Sequence, residues 1–288
     1  MNYSALIENR KSVREFQNKQ VSAAQLGLIR EYHRERAHRL VPEIRTDLVI
    51  FGSDAREALE GAAGYNSFFI GAPHYLVLLS GAHELAAENA GYVMQDLLLK
   101  LESMELGSCW LTFTDSERIK QALGIVSDLD VAAIAAFGYG AKTVKRMRLN
   151  IFSMSNVDVV AKHRYMDPKR KIHEMVFLNK WGNTYKLDDY IGFYDDMLFE
   201  ALYAASLSPS YLNRQAYGFV LKDNEMFLIR RPDEYNTDFD GRLSLGILML
   251  HFDAVAEKWA GKANWKFGAA EENLGLPEGH SIIASRAL

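Results

Sequence analysis

Three short stretches of the chain are largely apolar: YLVLLS (75–80), SCWLTF (108–113) and VAAIAAFGYG (131–140), the last running into a glycine-rich turn. Runs of this length are too short for a buried helix and predict strands covered on both faces. DLVIFG (47–52) predicts a further strand. Between Glu84 and Leu106 the apolar positions take up helical spacing, and this predicts the longest helix, with Gly107 in the usual terminating position. Ser22 and Gln25 form a capping box expected to open a helix reaching about Arg39. Residues 3–9 read as a short helix, and Ser116 is expected to cap another that stops at Gly124. The second part of the chain repeats the pattern more briefly. Helices are predicted at 193–206 and 241–259, strands at YGFVLK (217–222) and MFLIR (226–230), and two more at WKFG and SIIAS. The least structured junction is expected at about 150–190.

Composition narrows the class. The 288 residues are 49% hydrophobic and 24% charged, enough for one large core or two modest ones. A net charge of −4 gives no basic field for a nucleic acid. The single cysteine, Cys109, excludes an intrachain disulfide framework and fits a reducing, cytoplasmic setting; it reads as a buried small hydrophobe. Glu8 and Arg10 stand where a signal peptide needs an apolar run. The stretch between Glu60 and Glu84 carries no charge, yet Asn66, Pro73, His74 and several glycines make it a loop and strand, not a membrane span. The expected partner is a small-molecule substrate, with no nucleic acid, membrane or metal.

The candidate chemistry starts at ENRKSVREF (8–16), where Arg10, Lys11 and Arg14 surround Ser12. A solvated turn and an anion site are both open for such a cluster. The rest of the chain bears on the choice, because its two halves look related. RKSVREF (10–16) aligns with RKIHEMVF (170–177), LVPEI (40–44) with LSPSY (207–211), and NAGYVMQDLLLKLE (89–102) with FDGRLSLGILMLHFD (239–253). The first copy keeps Ser12 and Arg14 where the second has Ile172 and Glu174. The second has Pro209, Ser210, Asn213 and Gln215 where the first has Pro42, Glu43, Ile44 and Arg45. Complementary losses of this kind point to one composite site between the halves.

These segments resemble the FMN-dependent nitroreductases, in particular a subgroup fused into a single-chain pseudodimer. RKSVREF resembles the family's arginine-serine signature, GAPHYLVLLSG its Ala-Pro strand, and AAENAGYVMQDLLLKLESMELGSCWL its central helix and following strand. AAIAAFGYGAKTVKRMRLN resembles the closing strand with its Gly-Tyr turn and basic tail, and ASLSPSYLNRQAYGFV the Pro-Ser-x-x-Asn segment. Ala216 and Tyr217 depart from the usual Pro-Trp, and the second half lacks a Gly-Tyr turn with a basic tail.

The resemblance implies an α+β fold: a three-layer α/β/α sandwich with a mixed, largely antiparallel sheet. It implies two halves, 1–160 and 161–288, forming an internal pseudodimer that is monomeric as a chain and binds one FMN. Arg10, Lys11 and Ser12 would hold the phosphate with Arg146 and Arg148 of the tail, as planar bidentate donors and a small hydroxyl suit a dianion. Arg14 would lie beside N1 and O2 of the ring, and Leu111–Thr112 would pass near N5. Pro209, Ser210, Tyr211 and Asn213 would meet the ribityl chain or ring edge, and Asn66 the pyrimidine edge. No side chain is then required as nucleophile or base. NAD(P)H would be the donor and a nitroaromatic, quinone or similar electron-poor compound the acceptor, in ping-pong. The absence of a GxGxxG motif indicates no separate dinucleotide fold. A flavin carrier or sensor without turnover, and a reductase of other chemistry such as dehalogenation, are the alternative readings.

Overall fold

Two antiparallel four-strand arrays recur along the chain in the same order. The first comprises β1 (Thr46–Gly52), β3 (His74–Ser80), β4 (Gly107–Phe113) and β5 (Asp130–Gly138), arranged β1-β3-β5-β4 with the short β2 (Ala63–Gly64) outside β4. The second comprises β9 (Tyr217–Lys222), β10 (Glu225–Arg230), β11 (Lys266–Phe267) and β12 (Ser281–Ala287), arranged β9-β10-β12-β11. Outside β9 lies β8 (Val176–Leu178), in parallel pairing. In both arrays a long helix connects the second strand to the third: α4 (Ala86–Glu102) and α8 (Asp238–Ala260). The computed structural model describes residues 1–35, 37–64, 69–141, 146–153, 156–162, 169–184, 196–261, 264–268 and 272–288, with 146–153 and 156–162 as backbone alone. That backbone is an antiparallel pair, β6 (Arg146–Ser153) and β7 (Asn156–Lys162).

The remaining helices cover the sheets. They are α1 (Tyr3–Asn9), α2 (Ala23–Glu35), α3 (Ala55–Leu59), α5 (Ser116–Leu123), α6 (Ile172–Met175) and α7 (Asp196–Ser206). Strand β3 shows why the first half has three layers. Leu76 and Leu78 join one core with α2 and α4, and Tyr75, Val77 and Leu79 join another with α3 and α5. The alternation follows from the two-residue period of a strand, and both faces are buried. In the second half α7 and α8 cover one face, while Trp181, Leu274 and Leu276 from loops cover the other. The expected α+β organisation is present, with the largely antiparallel sheet divided into two five-stranded sheets.

The central helices are buried nearly all round, α4 from Ala87 to Leu99 and α8 from Leu243 to Ala256. They cross at Gly91 and Gly246, and a β-carbon on either would collide with a backbone carbonyl of the other helix, Leu243 for Gly91 and Glu88 for Gly246. The exchange is reciprocal, as a local two-fold axis requires. It sets the repeat: Gly91 matches Gly246, five positions beyond the Gly241 of the sequence alignment. Helical periodicity alone fixes a face but not a register.

Other expectations shift at their ends. Helix α2 stops at Glu35, short of Arg39, because His38 turns inward so that its N–H meets the buried Asp96 carboxylate at 2.8 Å. Arg39 then caps the helix from outside, donating to the carbonyls of Ala37 (3.1 Å) and His33 (2.8 Å). The Ser22–Gln25 box is present in both directions, at 3.2 and 3.3 Å. Helix α4 ends at Glu102 with Glu105 in the left-handed region (φ 59°), and Gly107 already belongs to β4. The cap of α5 is Asp115, not Ser116. Helix α8 opens at Asp238, earlier than expected, on the Thr237 cap. Among the described residues no helix is long and apolar enough to cross a membrane.

Candidate functional site

Segment 10–16 leaves α1 at Arg10 and runs beside the ends of β4 and β5. Ser12 pairs with Ser108, and the N–H of Val13 donates to the Ser108 carbonyl at 2.9 Å. Phe16 pairs with Gly140, and the N–H of Gln17 reaches the Tyr139 carbonyl at 2.8 Å. Gly107 allows the approach, since a β-carbon there would lie 2.6 Å from Val13. The Gly-Tyr-Gly turn is therefore the surface on which the arginine-serine segment is held, and this pairing fixes the spacing of Arg10, Ser12 and Arg14.

The opposite wall comes from the second half. After α7 the chain forms a tight turn, Pro209 to Gln215, in which Leu212, Asn213 and Gln215 have φ of 46°, 56° and 45°. Three non-glycine residues in this region store strain, and strain of this kind collects at functional sites. The hydroxyl of Ser210 accepts from the N–H of Gln215 (2.9 Å). Lys169 braces the turn, its ammonium donating to Asn213 Oδ1 (2.6 Å) and to the Ser208 carbonyl (3.0 Å). Because an ammonium only donates, this contact settles which end of the Asn213 amide is oxygen.

Between these walls lies one cleft of about 220 Å³. A single water needs only about 10–15 Å³ of such space. The cleft brings together Arg10, Lys11, Ser12, Arg14, Leu111, Thr112, Pro209, Ser210, Tyr211 and Asn213, all of them expected from the sequence. Asn66 lies outside the described residues, as do the side chains of Arg146 and Arg148, whose backbone is in β6. The sequence reading missed Lys169, Trp110, Phe113, Phe239, Asp240 and Ser244, which also line the cleft. Lys169 directly precedes RKIHEMVF (170–177), the segment aligned with the first-half signature, so only Arg170 and Lys171 fall within that alignment. The alignment itself does not hold in space: residues 172–178 form α6 and β8 beside β9, and have no counterpart to the docking of 10–16 on β4.

The electrostatics are those of an anion site. Four cations line the cleft against two carboxylates, Glu8 and Asp240. Burial pushes the Arg10 guanidinium down, and its Nη1 is buried with no hydrogen-bond partner among the described residues. An unpaired buried cationic donor is costly and calls for an acceptor. Cys109 beneath is fully buried and its thiol is pushed up by burial, so it is a packing residue. Trp110 is fixed from behind: its Nε1–H donates to Gln95 Oε1 at 3.0 Å. The Gln95 amide then donates to Nε2 of His251 (2.9 Å), and His251 Nδ1–H to the Ala204 carbonyl (3.0 Å). This chain requires a neutral imidazole, and burial lowers His251 to about 3.

Fold and site together define the class. Over 94% of this chain and 91% of the other, the structure superposes with a TM-score of 0.56 on a putative nitroreductase from Thermotoga maritima, at 16% identity. A putative nitroreductase from Desulfovibrio desulfuricans, solved in complex with FMN, matches 51% of this chain over 91% of its own length, with 21% identity and a TM-score of 0.43. No curated protein matches the sequence. The fold is the nitroreductase fold. Residues 2–256 match the family described as Putative TM nitroreductase, and the chain belongs to that family.

Proposed function

We propose that this chain is an FMN-dependent oxidoreductase that binds one FMN in the cleft and passes electrons from NAD(P)H to electron-poor acceptors such as nitroaromatics or quinones. The observation that carries the reading is the composite cleft, with cations of the first half facing the strained Pro209–Gln215 turn of the second and Arg10 Nη1 buried without a partner. The donor set fits the cofactor. Arg10, Lys11 and Ser12 bind the phosphate, joined by Arg146 and Arg148 from the basic tail. Arg14 lies along the pyrimidine edge, where a cation favours the reduced ring, with Asn66 beside it. Ser210 and Asn213, with Pro209 and Tyr211, hold the ribityl chain and ring edge, and the Leu111–Thr112 backbone faces the reactive side. FMN, when bound, supplies the hydride and electron transfer itself, and because donor and acceptor use one ring face the two half-reactions alternate. The protein's part is to bind, orient and neutralise charge. Residues 1–160 and 161–288 act as two inseparable halves, and each expressed alone should be insoluble.

The deciding measurement is the visible spectrum of the purified protein before and after denaturation. Flavin bands near one equivalent, released as FMN, support the reading. A spectrum that stays flat after FMN is added removes it. Bound flavin that oxidises NAD(P)H no faster than free FMN would favour a carrier or sensor.

A further inference from the structure

We propose that Asp240, on the first turn of α8, is the proton donor to the acceptor in the second half-reaction. The assignment rests on the FMN reading above. It starts from position. Phe113 directly follows Thr112 on β4, and its ring meets that of Phe239 edge to face, with centroids 6.0 Å apart and planes at 68°. Both rings line the cleft, and Asp240 is the next residue after Phe239. Flat aromatic acceptors pack against such rings by offset or edge contacts. Asp240 lines the cleft and is half-buried.

The hydrogen bonds of Asp240 leave its second oxygen available. Its N–H donates to Thr237 Oγ1 (3.1 Å), and the Thr237 hydroxyl donates to Oδ2 (2.6 Å). That exchange is the ordinary capping arrangement of α8 and accounts for one carboxyl oxygen. Among the described residues nothing bonds Oδ1. The charges beside it on α8 are engaged elsewhere, Asp238 with Arg230 and Arg242 with Glu88. Those facing it across the cleft are Glu8, Arg10, Lys11, Arg14 and Lys169. Burial raises its proton affinity, opposed more weakly by the Thr237 bond. The shift is in the direction that general-acid work needs.

The chemistry balances. Reducing a quinone to a hydroquinone takes one hydride and one proton, and reducing a nitro group to a nitroso group and water takes the same. Bound reduced flavin would supply the hydride. The proton comes from Asp240: its O–H bond breaks, an O–H bond forms on the acceptor oxygen, and the carboxylate left behind regains a proton from water at the cleft mouth.

The test uses the FMN-loaded protein reduced with dithionite and mixed with either 1,4-benzoquinone or ferricyanide, which takes electrons without a proton. Asp240→Asn keeps an oxygen for the Thr237 hydroxyl but has no proton to give. It should slow benzoquinone reduction by about 100-fold and slow ferricyanide reduction far less, both read at saturating FMN. No slowing, or equal slowing with both acceptors, overturns the assignment. In the flavin-free protein, carbon-13 NMR of the Asp240 carboxyl should show titration above the ordinary carboxyl range, and titration within or below that range also overturns it. A protein that takes up no FMN overturns this assignment and the FMN reading together, and its flat spectrum tells that case apart.

Discussion

The two halves share a strand order and a central helix but differ where the chain enters each sheet. In the first, residues 10–16 dock on the ends of β4 and β5 and bring Arg10, Ser12 and Arg14 to the cleft. In the second, residues 170–178 turn into α6 and then pair with β9 on the far edge of the sheet. Arg170 is thereby exposed, its N–H used to hold Gln215 (2.7 Å). Among the described residues, two arrays with the same strand order thus place their entry segments differently, because the scaffold is fixed by core packing while the path of a short segment is fixed by the edge on which it pairs.

Breaking the shared part should have the largest effect. Gly246→Val puts side-chain atoms against the Glu88 carbonyl, and two backbones cannot repack around them as side chains do. We expect a loss of about 3 kcal/mol or more, read from the denaturation midpoint, and a similar loss for Gly91→Val. A change within a few tenths would refute the close crossing.

The unshared part is sharpened by a pair of substitutions. Arg10→Met should weaken FMN binding by roughly 10- to 100-fold, the worth of a charge-assisted hydrogen bond. Arg170→Met, at the aligned position, should leave the affinity within about twofold. Fluorescence titration with FMN separates the two, and equal effects would restore a second site.

A smaller effect concerns the seam between the halves. His38 contacts Asp96 on α4 (3.1 Å) and Glu257 on α8 (3.2 Å). The Asp96 hydrogen bond is the main cause lifting its imidazole from 6.5 to about 9, against burial. A raised folded-state pKa stabilises the fold fully below about pH 6.5, and that contribution vanishes as pH rises through about 9. His38→Gln should therefore lose about 1–2 kcal/mol near pH 6 and approach the parent near pH 10. Melting curves at both pH values check the sign, and a gap that widens with pH would contradict it. The smallest change is Gly27→Ala on the exposed face of α2, where a β-carbon meets nothing within 4 Å. It should stabilise by up to about 1 kcal/mol in the same denaturation assay.

Much of this was written in short-range pattern. The apolar runs at 75–80 and 131–138 are strands covered on both faces, and each is too short to be a buried helix like α4 or α8, while 108–113 buries Ser108, Cys109 and Leu111 and turns Trp110, Thr112 and Phe113 toward the cleft. Ser12, Arg14, Ser210 and Asn213 could be named because each belongs to a compact motif whose spacing survives in one dimension. Lys169, Phe239 and Asp240 could not, since a lysine in a basic run and an aspartate in a helix cap look the same whether or not a cleft opens beside them. The sequence by itself determined the strands, the long helices and the two separate fragments of a site. Only the tertiary structure decided the helix register at Gly91 and Gly246, the inward turn of His38, and the edge on which each entry segment pairs. Those choices rest on contacts between residues far apart in sequence, or on one carboxylate buried in another element, and local periodicity holds no record of either.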